Sequence, residues 1–226
     1  MVKSALNSQA MQQNSLFDAP QTPECIMLGN GSQLHYQPRW LDQALPEYAV
    51  TQFVENYPWQ QPTIVIAGQP VPIPRLQCWF ADPGACLRYS GRLFKPNPWT
   101  PELSSLKAML EQTLEAPFNS VLVNLYRDGN DSVGWHADDE EELGKTPLIA
   151  SVSLGQRRPF LLKPKRAHTQ ETPSVTGKRV SLDLGEGDLL VMNGNTQLHW
   201  LHSLPKTRTT SEMRINLTFR NVVKLT

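Results

Sequence analysis

The sequence predicts a mainly β fold, a sandwich or jelly roll, with two or three flanking helices on its N-terminal side. Three observations carry that expectation. After Pro117, short apolar or alternating runs recur at residues 121–126, 148–154, 160–163, 179–184, 188–192, 198–202 and 213–223. Turn formers separate them, among them Asp128-Gly129-Asn130, Gly155, Thr176-Gly177 and Gly185-Glu186-Gly187, the punctuation expected between strands. In the last run Ile215, Leu217 and Phe219 alternate with Arg214, Asn216, Thr218 and Arg220. A strand sends successive side chains to opposite faces, so one face is apolar enough for a core. The other holds two guanidinium forks and short hydrogen-bonding groups, with none of the Lys or Glu that usually solubilise a strand. Arg pairs bidentately with carboxylates, so this face suits a small dicarboxylate.

A chain of 226 residues can bury one sizeable core. Its 21 Lys and Arg balance its 21 Asp and Glu, which argues against a strongly cationic architectural binder and leaves room for a local basic patch. Cys25, Cys78 and Cys86 are odd in number and lack finger spacing, which fits a reducing cytosol. No apolar run reaches the roughly 20 residues of a membrane span, and the N-terminus lacks the apolar stretch of a secretory signal. A cytoplasmic monomer is expected.

In chain order, residues 1–22 are rich in Gln, Asn, Ser and Ala and predict a disordered tail. Within it Gln13, Asn14, Ser15, Leu16 and Phe17 resemble the short peptide by which bacterial proteins dock on the replicative sliding clamp. Residues 26–36 predict a strand pair around Gly29 to Gly31, and 46–57 a helix opening on Pro46. Residues 64–66 and 71–73 predict a hairpin around Ala67-Gly68-Gln69-Pro70. Residues 74–89 read as irregular, aromatic and partly basic, with Arg75, Trp79, Phe80, Arg88 and Tyr89. Aromatic rings beside Arg can stack an unpaired base and touch phosphate, and they can equally be core rings beside surface charges. Thr100 is a helix N-cap with Pro101 following, and Leu103, Leu106, Leu110 and Leu114 form one stripe.

His136 and Asp138, two apart in extended chain, can share one ion, and His202 supplies a second imidazole far downstream. Two His and one carboxylate with open positions form the ligand set of non-haem Fe(II) oxygenases. His35 and His168 lie in polar loop contexts, and His199 falls on the opposite face of a strand that includes His202. Twelve residues beyond His202 begins the Arg-lined strand, and a ferrous triad beside a dicarboxylate-binding strand is what a 2-oxoglutarate-dependent oxygenase requires.

With these residues in view, the sequence resembles the AlkB family of nucleic-acid demethylases over residues 74–223, closest to the DNA-repair branch in its bacterial form. The motifs are Asn124-x-Tyr126-x-x-Gly129, His136-x-Asp138, the Ile-Ala-Ser-Val-Ser-Leu-Gly run at 149–155, His202-Ser203-Leu204-Pro205, and Arg214-x-Asn216-Leu217-Thr218-Phe219-Arg220. The resemblance implies a double-stranded β-helix core over residues 118–226 and an N-terminal extension over 23–117 that carries support helices and a nucleotide-recognition hairpin. It implies that His136, Asp138 and His202 bind Fe(II), and that Asn124, Tyr126, Arg214, Asn216, Thr218 and Arg220 hold 2-oxoglutarate.

The implied reaction uses O2 to hydroxylate the N-methyl group of bases such as 1-methyladenine and 3-methylcytosine in DNA. Formaldehyde, succinate and CO2 leave. An acid at Asp139 or Glu140 would meet the cationic base, while Trp79, Phe80 and Tyr89 would stack on it. Arg75, Arg88, Arg157, Arg158, Lys163, Lys165 and Arg166 would track phosphates. Duplex-acting relatives carry a bulky wedge on the hairpin, where this chain has the small Ala67, so single strands or weakly paired lesions are the expected substrate. The same oxygenase acting on RNA or a protein side chain, or a binding module without turnover, are the competing readings. A metal-binding cupin-like protein leaves the Arg-lined strand unexplained.

Overall fold

A computed structural model describes residues 22–41, 47–85, 87–89, 92–165 and 179–223, with the backbone alone at 47–49, 66, 87–89 and 92–94. The clamp-like peptide at 13–17, Arg166, and the side chains of Arg88 and Tyr89 therefore lie outside the described residues.

The chain opens with β1 (Glu24–Gly29), β2 (Ser32–Gln37) and α1 (Glu47–Asn56), then the hairpin β3 (Thr63–Ile66) and β4 (Gln69–Pro72). Next come β5 (Leu76–Ala81), the short pair β6 (Leu87–Tyr89) and β7 (Arg92–Phe94), and α2 (Pro101–Leu114). The remainder is β8 (Ser120–Tyr126), β9 (Val133–His136), β10 (Ile149–Gly155), β11 (Arg158–Pro164), β12 (Val180–Leu184), β13 (Leu189–Gly194), the short helix α3 (Thr196–His199), β14 (Trp200–Leu204) and β15 (Arg214–Arg220). Among the described residues, no helix is long and apolar enough to cross a membrane.

Two antiparallel sheets result. The larger has the order β1-β2-β13-β10-β15-β8-β5 and the smaller β12-β11-β14-β9, the two-layer solution expected when each sheet must bury one face. Residues on both sides of Pro117 contribute to the larger sheet. Its outer face carries Val121, Val123, Val152, Leu217 and Phe219, packed with Phe53 of α1 and Leu103, Leu106 and Leu110 of α2. Its inner face meets the smaller sheet through Ile149, Leu190 and Met192 on one side and Phe160, Leu162 and Trp200 on the other. The larger sheet is thus covered twice, which is why six of the seven residues of β15 are buried although half are polar. Those polar side chains face another layer, not solvent.

Local chemistry sets the boundaries. Thr100 Oγ1 accepts a hydrogen bond from the Leu103 N–H at the start of α2, so an orphan helical donor is satisfied by the predicted cap. The expected four-residue turn between β3 and β4 contracts to two residues, Ala67 and Gly68. Both have positive φ, 48° and 79°, the geometry of a tight turn that matches strand twist, and this places Gln69 and Pro70 in β4. Two expectations are corrected. Residues 76–81 form a regular strand paired with β8, not an irregular segment. The run at 198–202 is split, with His199 ending α3 before β14 begins.

Candidate active site

The site lies between the sheets, and strand register assembles it. β9 pairs with β14 so that His136 stands directly opposite His202, with ring centroids 4.2 Å apart. One ligand atom from each of His136, Asp138 and His202 falls within 4.8 Å of the others. His136 Nδ1 lies 2.9 Å from the Gly134 carbonyl, which favours Nδ1 as the protonated nitrogen and leaves Nε2, 4.0 Å from Asp138 Oδ1, with a lone pair. The Phe160 ring stacks on His202. Gln197, at 1% exposure, accepts the Asp138 N–H through Oε1 at 2.9 Å and fixes the backbone from which this carboxylate projects.

Electrostatics set protonation states that suit a cation. Burial pushes His202 down to about 3, helped by His136, so its imidazole is neutral near pH 7. Burial alone would raise Asp138, but Arg220, His202 and His136 outweigh it and hold the carboxyl at about 2. Arg220 donates to Asp138 Oδ1 at 2.9 Å. A neutral His202 imidazole and an ionised Asp138 carboxylate are donor forms that a divalent metal needs.

The diacid face lies on β15, which pairs with β10 on one side and β8 on the other. Asn216 stands opposite Asn124 and Ser153, and Arg214 opposite Tyr126 and Gly155. A polar cavity of about 50 Å³ brings together Asn124, Tyr126, Asn216, Thr218 and Arg220 with all three members of the triad. Arg214 sits at the other end of the strand, 1% exposed, and donates to Ser153 Oγ at 2.6 Å and Leu184 O at 2.5 Å. Burial lowers its pKa to about 10, against the pull of Tyr126. Among the described residues, the Nε atoms of Arg214 and Arg220 are buried without a hydrogen-bond partner. Unsatisfied buried guanidinium donors at the two ends of one strand fit a dicarboxylate.

A sequence profile of the 2OG-Fe(II) oxygenase superfamily matches residues 33–220. The alpha-ketoglutarate-dependent dioxygenase alkB homolog 3 of Mus musculus is 33% identical over 223 residues, covering 98% of this chain and 76% of the relative. The DNA oxidative demethylase ALKBH2 of Arabidopsis thaliana is 37% identical, covering 95% of this chain and 74% of the relative.

The chain belongs to the AlkB family of 2OG-Fe(II) oxygenases.

The solved structure of OsALKBH1 shares the fold, with a TM-score of 0.57 at 19% identity over 88% of this chain and all of that one. Fe(II), 2-oxoglutarate and O2 are the cofactor and cosubstrates of this AlkB-family chain, and the donor set described above fits both the ion and the diacid.

A larger cavity of about 430 Å³ opens beside the triad and shares Arg75, Leu122, Val133, His136, Asp138 and Arg220 with the small one. Ile64, Ile73, Pro74 and Trp79 give it apolar walls, and Glu140 faces it. Among the described residues, Glu140 Oε2 is buried without a hydrogen-bond partner. Burial raises the Glu140 pKa, with Arg220 pulling the other way.

Several expected substrate contacts are reassigned. Phe80 is not in the cavity: alternation along β5 puts Gln77 and Trp79 on the cavity side, while Phe80 packs on Tyr57 at 4.8 Å within the helix-covered core. Asp139 turns away for the same reason, because Asp138 and Glu140 share one side of the extended chain. Its exposed carboxylate pairs with Lys165 at 2.9 Å and lines a separate groove of about 790 Å³. Arg75, expected at the phosphates, lines the large cavity instead of the surface. It is 8% exposed and donates to Asn124 Oδ1 at 2.8 Å, between the two cavities. Arg158 is a buried clamp on the carbonyls of Asp128, Asp131 and Pro205, and Arg157 is tied to Asp188. Sequence reading gave no role to Gln197, to Ser151 and Ser153 within the 149–155 motif, or to the wall formed by Ser132 together with Val133, Gly134 and Trp135 of β9.

Proposed function

We propose that this AlkB-family chain is an oxidative demethylase of N-alkylated bases in DNA, of the 1-methyladenine and 3-methylcytosine type, releasing formaldehyde and succinate. The observation that carries the reading is the 430 Å³ cavity, wide enough for a base, with apolar walls and the half-buried Glu140 among its lining residues beside the triad. The similarity to the DNA oxidative demethylase ALKBH2 of Arabidopsis thaliana supports it.

In this reading His136, Asp138 and His202 hold the iron, and Arg220 occupies the carboxylate oxygen of Asp138 that faces it. Asn124, Tyr126, Asn216, Thr218, Arg214 and Arg220 bind the diacid. When bound, iron with 2-oxoglutarate and O2 supplies the power to oxidise an N-methyl group, and the resulting N-hydroxymethyl group falls apart to formaldehyde and the restored base. Trp79, Ile73 and Pro74 keep water from the base and present it with its methyl toward the triad. Glu140 pairs with the positive charge of the methylated ring, a charge that the unmodified base lacks.

The test is anaerobic loading with Fe(II) and 2-oxoglutarate, then O2 with a 1-methyladenine oligonucleotide and an assay for formaldehyde. The wild type yields formaldehyde, and His136→Ala yields none. Formaldehyde from that variant would refute the ligand assignment. A methylated RNA arm in the same assay decides the nucleic acid.

A single-strand preference belongs to the same reading. Ala67 sits exposed at the tip of the β3–β4 turn with positive φ, and its lone methyl cannot fill the gap left by an extruded base. Repair of a single-stranded oligonucleotide should outrun that of its duplex, and equal rates would contradict this. Docking of residues 13–17 on a sliding clamp, a monomeric state and a cytoplasmic location complete the proposal.

A further inference from the structure

β9 does two jobs, one on each face. His136 points to the triad, so its neighbour Trp135 projects to the other side. Register fixes which other residues share that side. Leu162 of β11 pairs with His202 of β14, which pairs with His136 of β9, so this row faces inward. Lys163, one position along and opposite Leu201, faces outward with Trp135. Val180 pairs with Leu162, and Arg179 immediately precedes it. The contacts agree with the register: Lys163 Nζ lies 4.3 Å from the centroid of the Trp135 ring, and the Arg179 guanidinium 5.8 Å from it.

The result is one partly exposed indole carrying two cations. Neither Lys163 nor Arg179 forms an ion pair among the described residues, although the chain has as many acids as bases. Each contact with the ring is worth little at an exposed site, about 0.5–1 kcal/mol, and the two charges repel each other. A polyanion with a flat apolar group would satisfy all three side chains at once. The position is informative as well. β9 is the free edge of the smaller sheet, and Trp135 belongs to the wall of the 430 Å³ cavity, so only the width of one strand separates the cavity from the cationic face.

We infer that Trp135, Lys163 and Arg179 form a second nucleotide subsite, which takes the nucleotide adjacent to the one in the cavity as a single strand crosses the edge of β9. The inference rests on the demethylase reading for its choice of ligand. The neighbouring base stacks on the open part of the indole, and the intervening phosphate lies between Lys163 and Arg179. Stacking is tolerant of sequence because every base has a π-face, so the subsite recognises a strand without reading it.

The test is fluorescence anisotropy of the full chain with labelled, unmethylated oligothymidylate and oligouridylate over a range of salt. Trp135→Ala should weaken binding about tenfold, while Trp135→Phe, which keeps a ring, should bind nearly as well as the wild type. Lys163→Gln and Arg179→Gln should each reduce the slope of log affinity against log salt by about 0.7, the value for one phosphate contact on a single strand. Loss with either oligonucleotide supports the subsite and names the sugar it prefers. Unchanged affinity in Trp135→Ala, or a Trp135→Phe as weak as Trp135→Ala, overturns it. Formaldehyde release by the wild type, measured in parallel, keeps the two proposals apart. Turnover with unaltered binding by Trp135→Ala overturns the subsite alone. No turnover, with weakened binding by Trp135→Ala, overturns the demethylase reading and leaves the subsite standing.

Discussion

Glu140 shows how one side chain can discriminate. Glu140 lines the cavity, and its Oε2 is buried with no hydrogen-bond partner among the described residues, an arrangement that costs about 1–3 kcal/mol until a donor or a cation arrives. A methylated, positively charged base relieves that cost and a neutral base relieves less of it. Glu140→Gln should therefore lower kcat/KM for a 1-methyladenine substrate by about tenfold or more and leave the KM for 2-oxoglutarate unchanged, as read from formaldehyde kinetics with each substrate varied in turn. Single residues differed in how legible they were. His136, Asp138, His202, Asn124 and Asn216 were readable because their spacing obeys strand alternation and the structure keeps that alternation. Trp79 and Phe80 are adjacent stacking candidates, and strand alternation sends them to opposite faces, so of the two only Trp79 reaches the cavity. The same rule divides Asp139 from Glu140. Gln197 carried no signal at all, because its partner is a backbone N–H 59 residues away in sequence.

The segment that joins β8 to β9 is the element on which His136 depends. Asp131 accepts from the Arg127 N–H and from both Nε and a terminal nitrogen of the Arg127 guanidinium, at 2.7–2.9 Å. Arg158 grips the Asp128 and Asp131 carbonyls from below. Gly129 lies so close to the 207–210 segment that a Cβ there would stand 2.3 Å from the Thr207 carbonyl oxygen, which explains the glycine in that motif. Burial alone would raise the Asp131 pKa, but its hydrogen bonds to Arg127 and the Arg127 and Arg158 charges bring it below the ordinary carboxyl value. A depressed folded value means that the ionised carboxylate stabilises the fold above its ordinary pKa, near 4, and that this stability is lost as pH falls through the folded value. Asp131→Asn should flatten the acid limb of the stability profile below about pH 4 and change little in the pH dependence above it, as measured by urea midpoints across that range. At this scale α2, its cap and its Leu stripe were legible, because capping and periodicity are local. β5 was not, because its six residues mix polar and apolar side chains and both faces are buried, so no alternation of polarity marks it. Its pairing with β8, 39–49 residues away in sequence, is what makes it a strand.

For the whole molecule, two stacked sheets hold a polar site where a core would otherwise be. Among the described residues, the arrangement leaves the buried Nε atoms of Arg214 and Arg220 unsatisfied and gathers His136, Asp138 and His202 beside Arg220, which pairs with Asp138. Ligands that bind only the folded state stabilise it by mass action, about 2.7 kcal/mol at a hundredfold excess over Kd. Fe(II) with 2-oxoglutarate, added anaerobically, should raise the thermal midpoint by several degrees. A chelator should reverse the metal's share, and His136→Ala should keep only the diacid's share. The two halves of the site are anchored unequally. Arg214 to Arg220 ride on β15, an interior strand with a neighbour on each side, whereas His136 comes from β9, an edge strand held by β14 alone in an irregular register. Backbone amides at 133–136 should accordingly exchange with deuterium long before those at 214–220, and a bound ion, by joining an edge ligand to an interior one, acts as a clasp that slows the looser half.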